Sequence, residues 1–180
     1  MSKKRIFLKI ISIPILIILF GCSEDDNYPE FEVRSPAFGH GGTIPRRHTC
    51  DGDNISPPLM FSDIPEETKT LAIILNDPDV PLGAYTHWLI WGIPGSTGSL
   101  DADQNNDPLE GVIQGTNSAE TIGYTGPCPP PVDGNHHYTF KVYAIDKALD
   151  LKEGASKNQL TSAMKGHIVG VGELMGLYNK

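Results

Sequence analysis

The chain has 180 residues, enough for one domain of ordinary size, and its 14 basic and 22 acidic residues give a net charge of −8. An acidic surface repels nucleic acid, which excludes it as an expected partner, and any anion site must be built locally against this charge. The 19 glycines and 15 prolines are scattered along the chain, a composition typical of strands joined by tight turns.

Residues 1–21 are predicted to be a lipoprotein signal peptide. Basic residues at positions 3–5 and 9 precede an apolar run at 10–20, which is short for a membrane span and is interrupted by Pro14. The run ends in Leu19-Phe20-Gly21-Cys22, which resembles a lipobox and assigns lipidation to Cys22. The alternative is an ordinary signal peptide followed by a chance cysteine.

Residues 22–30 are predicted to be an acidic tether and residues 31–180 the folded domain. Removing the signal peptide takes away four basic residues and no acids, which leaves 10 basic and 22 acidic residues and a net charge of −12. We expect an exported lipoprotein anchored in the cell envelope, with the outer membrane as its location. The acidic residues after Cys22 also resemble surface-export signals, so surface exposure is an open alternative.

Three apolar runs predict buried strands at residues 71–75, 87–93 and 138–145. The first two are continuous, as expected of central strands, and the third alternates apolar and polar positions so that one face is buried. With many turns and little helix, this pattern predicts a mainly β fold, a β-sandwich with small helical additions.

One helix is predicted near the C-terminus. Ser156 is a plausible N-cap, and Leu160, Met164 and His167 follow at helical spacing. The glycines that come next argue against a long continuation, and residues 173–178 are predicted to form a short last strand.

Two cysteines remain once Cys22 is assigned to lipid. Cys50 and Cys128 both lie in predicted loops of an exported chain, where disulfides persist. Sequence gives no distance between them, so a disulfide and two free thiols are equally open.

Polar side chains begin or end the predicted strands. Asp77 follows the first buried strand, His87 opens the second, and His136 and Tyr138 open the third. If these strand ends meet at one edge, the four side chains converge. Imidazole, phenol and backbone N–H groups donate to oxyanions, and a carboxylate orients a neighbouring histidine, so this set predicts a site for a phosphate-like anion.

The same motifs resemble the phosphatidylethanolamine-binding protein family, and within it the bacterial YbhB/YbcL group, often called Raf kinase inhibitor-like. The resemblance covers about residues 33–178 and rests on four stretches. These are Cys50-Asp51-Gly52-Asp53-Asn54-Ile55-Ser56-Pro57-Pro58-Leu59, Asp77-Pro78-Asp79-Val80-Pro81, His87-Trp88, and Gly126-Pro127-Cys128-Pro129-Pro130 with His136-His137-Tyr138. It implies a large central antiparallel sheet, a smaller sheet packed on it, one or two short helices, and an anion pocket at one edge.

The resemblance also implies roles for individual residues. The implied anion-binding residues are Asp77, His87, Gly126, Cys128, His136 and Tyr138. The implied pocket supports are Asp51, Asn54, Pro78, Asp79, Pro81, Trp88, Pro129 and Pro130. The family usually has arginine where this chain has His137, which strand alternation turns away from the site.

The leading functional hypothesis is non-enzymatic binding of a phosphate-like anion or phosphorylated headgroup, close to a membrane through the lipid on Cys22. The alternative is a protein-interaction or protease- or kinase-inhibitor-like module whose pocket is secondary. Catalysis is not expected, because no H-E-x-x-H or G-x-S-x-G motif is present. No cofactor and no metal are expected, since His48 and Cys50 alone do not make a zinc site.

Overall fold

The computed structural model describes residues 28–81 and 83–180. The predicted signal peptide, Cys22 and most of the predicted tether lie outside the described residues, so the expectations attached to them stay predictions. Within the described ranges, no helix is long and apolar enough to cross a bilayer.

In the described residues, nine strands form two sheets, and one short α-helix precedes the last strand. The elements are β1 (Glu32–Arg34), β2 (Gly42–Thr43), a 3-10 turn (Arg46–His48), β3 (Leu59–Ser62), β4 (Thr70–Asp77), β5 (Tyr85–Pro94), β6 (Ser99–Leu100), β7 (Ile113–Gln114), β8 (His136–Ile145), α1 (Lys157–Met164) and β9 (Ile168–Tyr178). The large sheet has the order β2-β9-β8-β4-β5-β7 and the small sheet β1-β3-β6. This confirms the predicted mainly β fold with two sheets.

The central strands of the large sheet are buried on both faces. Leu75 and Phe140 belong to the core between the two sheets. Ile74 faces the other way, into a second apolar cluster with Leu160 and Met164 of α1. This double burial explains why β4 and β5 read as continuous apolar runs, and it confirms the predicted buried strands.

The helix begins where the sequence predicts and ends earlier. Ser156 forms a capping box with Gln159, in which each side chain bonds the other residue's backbone N–H. The helix ends at Met164, so His167 lies outside it, contrary to the helical spacing. Gly166 takes a left-handed conformation with φ 76°, which ends the helix and turns the chain into β9.

The last strand is nearly twice as long as predicted, running from Ile168 to Tyr178. Its glycines mark a close approach of neighbouring elements. A Cβ on Gly172 would lie 2.5 Å from Val33 Cγ2 and 2.7 Å from the Phe31 carbonyl oxygen. Glycine here lets the segment around β1 pack against the sheet.

Strand pairing brings three strand ends to one edge of the large sheet. β4 pairs antiparallel with β5 on one side and with β8 on the other. The end of β4 at Asp77 therefore lies beside the starts of β5 and β8. The candidate site is built at this edge.

Gly172→Ala should destabilise the fold by about 1–3 kcal/mol, because the new methyl group has no room against Val33 and Phe31. Denaturant unfolding measures the loss. Gly39→Ala is the matched control, since nothing lies within 4 Å of a Cβ placed there. Equal stability of the two variants would contradict the packing described for β9.

Candidate functional site

Asp77, His87, His136 and Tyr138 come together at the edge formed by β4, β5 and β8. His136 Nδ1 lies 2.7 Å from Asp77 Oδ2. The ring of Tyr138 meets His87 edge-on, with centroids 5.3 Å apart, and stacks on His136 with centroids 6.4 Å apart. The structure thus groups the four side chains that the sequence singles out; their role toward a ligand stays a prediction.

A β-bulge turns His87 toward this cluster. Trp88 pairs with Leu75 and Thr86 pairs with Asn76, so His87 is the extra residue between two regular pairs. A bulge lets successive side chains share a side of the sheet, which strict alternation forbids. His87 can therefore contact Tyr138 while Trp88 remains in the core between the sheets.

The cluster is more buried than a site at a sheet rim would be. Relative exposure is 0% for Tyr138, 3% for Asp77 and His136, and 5% for His87. A groove of about 1170 Å³ lies elsewhere, between β1, β9 and α1.

Asp77 is held as a hydrogen-bond acceptor on both oxygens. Its Oδ2 accepts from His136 Nδ1–H, and its Oδ1 accepts from the backbone N–H of Asp79 at 2.8 Å. The Nδ1 proton of His136 is therefore committed to Asp77. His136 Nε2 is left without a hydrogen bond in the described residues, its nearest carboxylate being Asp133 Oδ2 at 3.9 Å.

The ring of His87 is fixed by a backbone carbonyl. Its Nδ1 lies 2.8 Å from the oxygen of Thr125, which can only accept, so Nδ1 carries the proton. Burial lowers the pKa of His87, an effect opposed by the carbonyls of Thr125 and Gly126 and by the Asp77 carboxylate. Near neutral pH the ring is uncharged, and its Nε2 atom carries a lone pair that can accept a hydrogen bond.

The hydroxyl of Tyr138 is buried and makes no well-formed hydrogen bond in the described part of the chain, although the Asp77 carboxylate lies close enough to accept weakly from it. Burial raises the pKa of Tyr138, and the nearby Asp77 carboxylate raises it further, so the group stays a neutral donor. An unpaired buried hydroxyl costs about 1–3 kcal/mol, and such a group points to a missing partner.

Asp79 and His137 form a pair on the outer side of this edge. Asp79 Oδ2 accepts from the backbone N–H of His137 at 2.6 Å and from its Nδ1–H at 2.8 Å. The backbone bond, followed by the imidazole bond, lowers the pKa of Asp79. His137, at the family's arginine position, therefore braces the turn after β4 through Asp79 Oδ2.

Three of these residues form a group whose donor atoms lie close together. Asp77, Asp79 and His136 present donor atoms within 4.8 Å of one another. Asp77 Oδ2 and His136 Nδ1 are already bonded to each other, and Asp79 Oδ2 is bonded to His137. These bonds occupy one donor atom of each residue, and the expectation of no metal stays a prediction.

The proline-rich loop beside the cluster is tied to the loop at residues 48–54. Cys50 and Cys128 form a disulfide, which decides between the two alternatives left open by the sequence. The N–H of Gly126 donates to Asn54 Oδ1 at 2.8 Å, and a Cβ on Gly126 would lie 2.6 Å from the carbonyl oxygen of His48. Cys128 therefore has no thiol, and Asn54 holds the loop through Gly126; its role as a pocket support stays a prediction.

The other predicted supports differ in burial and in the groups that they contact. Trp88 is buried and donates to Gln114 Oε1 at 2.6 Å. Asp51 accepts from the Tyr178 hydroxyl at 2.7 Å, which ties the same loop to β9. Pro129 is buried in the loop, whereas Pro78, Pro81 and Pro130 are exposed.

Two contributors were missed by the sequence analysis. The ring of Tyr85 lies 4.7 Å from that of His87, and the carbonyl of Thr125 fixes the tautomer of His87. Tyr85 stands two positions before His87, a spacing that could have been noticed. A backbone carbonyl carries no side-chain signal, so Thr125 could not have been found this way.

Comparison with known proteins identifies the family. The family model for phosphatidylethanolamine-binding protein matches residues 34–179. The chain belongs to the phosphatidylethanolamine-binding protein family. This confirms the resemblance seen in the sequence motifs.

Relatives and solved structures agree with this assignment. A UPF0098 protein of Pyrococcus horikoshii is 41% identical over 177 residues, covering 96% of this chain and 89% of the relative. The phosphatidylethanolamine-binding protein homologue of Chlamydia trachomatis has a TM-score of 0.76 at 41% identity, over 84% of this chain and 98% of that one. YbcL of E. coli has a TM-score of 0.78 at 30% identity, over 84% and 99%.

Folding stability should fall as the pH drops from 7 toward 5. Burial lowers the pKa of both His48 and His87 in the folded chain. The unfolded chain, with histidine pKa values of about 6.5, then binds more protons below that pH and is favoured. Thermal unfolding across this range should show a shallower slope for His48→Gln than for His40→Gln, an exposed control. Identical slopes would contradict the buried neutral state of His48.

Replacing both Cys50 and Cys128 by serine should cost about 2–5 kcal/mol in unfolding free energy, because the bond closes a segment of 78 residues. Denaturant unfolding of the oxidised and double-serine proteins measures it. If reduction of the native protein leaves the unfolding midpoint unchanged, the bond does not hold the two loops together.

Proposed function

We propose that this protein binds a small phosphate-like anion without catalysing a reaction. The observation that carries the proposal is the hydroxyl of Tyr138, which is buried, makes no well-formed hydrogen bond, and lies among Asp77, His87 and His136. A ligand oxygen placed there would satisfy it. The family's description, phosphatidylethanolamine-binding protein, accords with a phosphorylated headgroup as a ligand.

The cluster can hold a ligand without a covalent step. Cys128 is in a disulfide, and Tyr138 has a raised pKa, so neither is an activated nucleophile. The Nδ1 proton of each central histidine is held by an internal acceptor. These bonds fix the two rings in place, as a rigid receptor requires.

A membrane location completes the proposal. The signal motif ending at Cys22 supports an exported lipoprotein, anchored in the cell envelope through its lipid and placed in the outer membrane. In that setting the domain lies near phospholipid headgroups, and its net charge gives nucleic acid no surface to bind.

A second candidate is a protein-interaction or inhibitor module. Carboxypeptidase Y inhibitor, solved in complex with its proteinase, shares the fold with a TM-score of 0.55 at 13% identity, over 84% of both chains. In this chain Val132 is 90% exposed on the proline-rich loop before His136, where it could meet a partner. Protein binding lost in Val132→Ser, with phosphate binding unchanged, would favour this candidate.

Tyr138→Phe should weaken phosphate binding and leave stability unchanged or raised, because it removes a hydroxyl that makes no well-formed hydrogen bond in the unliganded protein. Calorimetric titration with inorganic phosphate and thermal unfolding are measured on the same samples. We expect affinity to fall about tenfold or more.

Tyr124→Phe is the matched control. The buried hydroxyl of Tyr124 donates to the carbonyl of His48 at 2.6 Å, so its loss should cost about 1–3 kcal/mol of stability. Its phosphate affinity should be unchanged. Binding of phosphate by Tyr138→Phe with native affinity would refute the proposed site.

A further inference from the structure

The chain enters the folded domain beside the early part of β9. The N–H of Phe31 donates to the carbonyl of Val171 at 3.0 Å, and the N–H of Val171 donates to the carbonyl of Pro29 at 2.9 Å. Glu30 pairs with Val171 in parallel. Since parallel neighbours run in the same direction, the residues before Pro29 come from the start of β9, and β9 then runs on toward the cluster.

A second contact places this entry point at one end of the large sheet. A Cβ on Gly170 would lie 2.7 Å from Pro65 Cγ and 3.3 Å from the carbonyl oxygen of Pro29. Pro65 belongs to the connection that leads into the start of β4, whereas the cluster lies where β4 ends. Lys165, just after α1, lines the groove in this region together with Tyr28. We call this part of the domain, around Tyr28, Pro65, Lys165 and the start of β9, the entry end.

The cluster lies at the opposite end of the same strands. Tyr178 of β9 is paired with His136, and Val171 is paired with Tyr143. The path from Val171 to Tyr178 is seven residues, or about 23 Å at about 3.3 Å per residue. Tyr28 lies two residues before Glu30 and is held extended by the proline that follows it, so its distance from the cluster edge is about 30 Å.

The predicted lipid anchor cannot bridge this distance. Cys22 precedes Tyr28 by six residues, and six residues span at most about 22 Å when fully extended. Even a tether that ran back along the domain would therefore stop short of the cluster edge. A bilayer that holds the lipid on Cys22 cannot press against that edge.

We propose that the entry end faces the bilayer that holds Cys22, and that the cluster faces the aqueous phase and takes its ligand from there. This inference rests on the lipid anchoring in the proposed function, and it goes further by assigning a lipid surface to one end of the domain. Headgroups of the anchoring bilayer are then out of reach of the cluster.

Energy transfer to the bilayer tests this orientation on the full lipidated chain, reconstituted into phosphatidylcholine vesicles whose headgroups carry an acceptor dye. A neutral lipid is used because the net negative charge of the domain would otherwise bias its orientation. A donor dye is attached either to Lys165→Cys, at the entry end, or to Val132→Cys, on the loop before β8 at the cluster end. Both side chains are exposed, so neither change disturbs packing.

We expect transfer from the label at position 165 to be several-fold stronger than from the label at position 132, because the length of β9, about 33 Å, separates the two ends. Vesicle-bound protein in which both labels transfer equally, or in which position 132 transfers more, would overturn the orientation and leave the anchor in place. Protein that carries no lipid and binds no vesicles would overturn the proposed anchoring and this inference with it.

A lengthened tether is the matched control. Inserting about 20 glycine and serine residues between Asn27 and Tyr28 gives a flexible tether with an end-to-end distance of about 28 Å and a much longer maximum reach. The domain can then turn over, so transfer from the label at position 132 should rise toward that from position 165. An unchanged difference between the two labels would show that the short tether does not orient the domain, and would overturn the inference.

Discussion

The pairing of β4 with both β5 and β8 is the constraint on which the rest of the structure depends. Because both ladders are antiparallel, the end of β4 lies beside the starts of its two neighbours. The central strands are buried on both faces, so a shift of register would misplace side chains in both apolar layers and is strongly disfavoured. Burial thus fixes the register, and the register fixes where Asp77, His87 and His136 meet.

The same packing leaves polar groups in a setting where each needs a partner. Backbone and side-chain acceptors hold the two central histidines, and the disulfide and Asn54 hold the neighbouring loop. Within the cluster Tyr138 is the exception, because its hydroxyl makes no well-formed hydrogen bond; Thr68 Oγ1 and Trp91 Nε1 are also unpaired in the described chain. A rigid surround with one unsatisfied donor is the arrangement expected of a preorganised receptor for a small ligand.

Much of this could be predicted from the sequence. The long apolar runs predicted β4, β5 and β8, and polar residues at their ends predicted the cluster. Other features depended on tertiary contacts. The bulge at His87 is a property of pairing, β9 was cut short because its glycines read as breaks, and the depth of burial at the cluster follows from elements packed around it. The tautomer of His87 depends on a backbone carbonyl that no side-chain pattern reveals.

A crystal structure of the protein grown with phosphate at pH 6 tests the central claim most directly. Our account predicts a phosphate ion at the edge formed by β4, β5 and β8, with one oxygen accepting from the Tyr138 hydroxyl and another within hydrogen-bond distance of His87 Nε2. Phosphate bound elsewhere, with the Tyr138 hydroxyl still unpaired or bonded to a protein group, would contradict it.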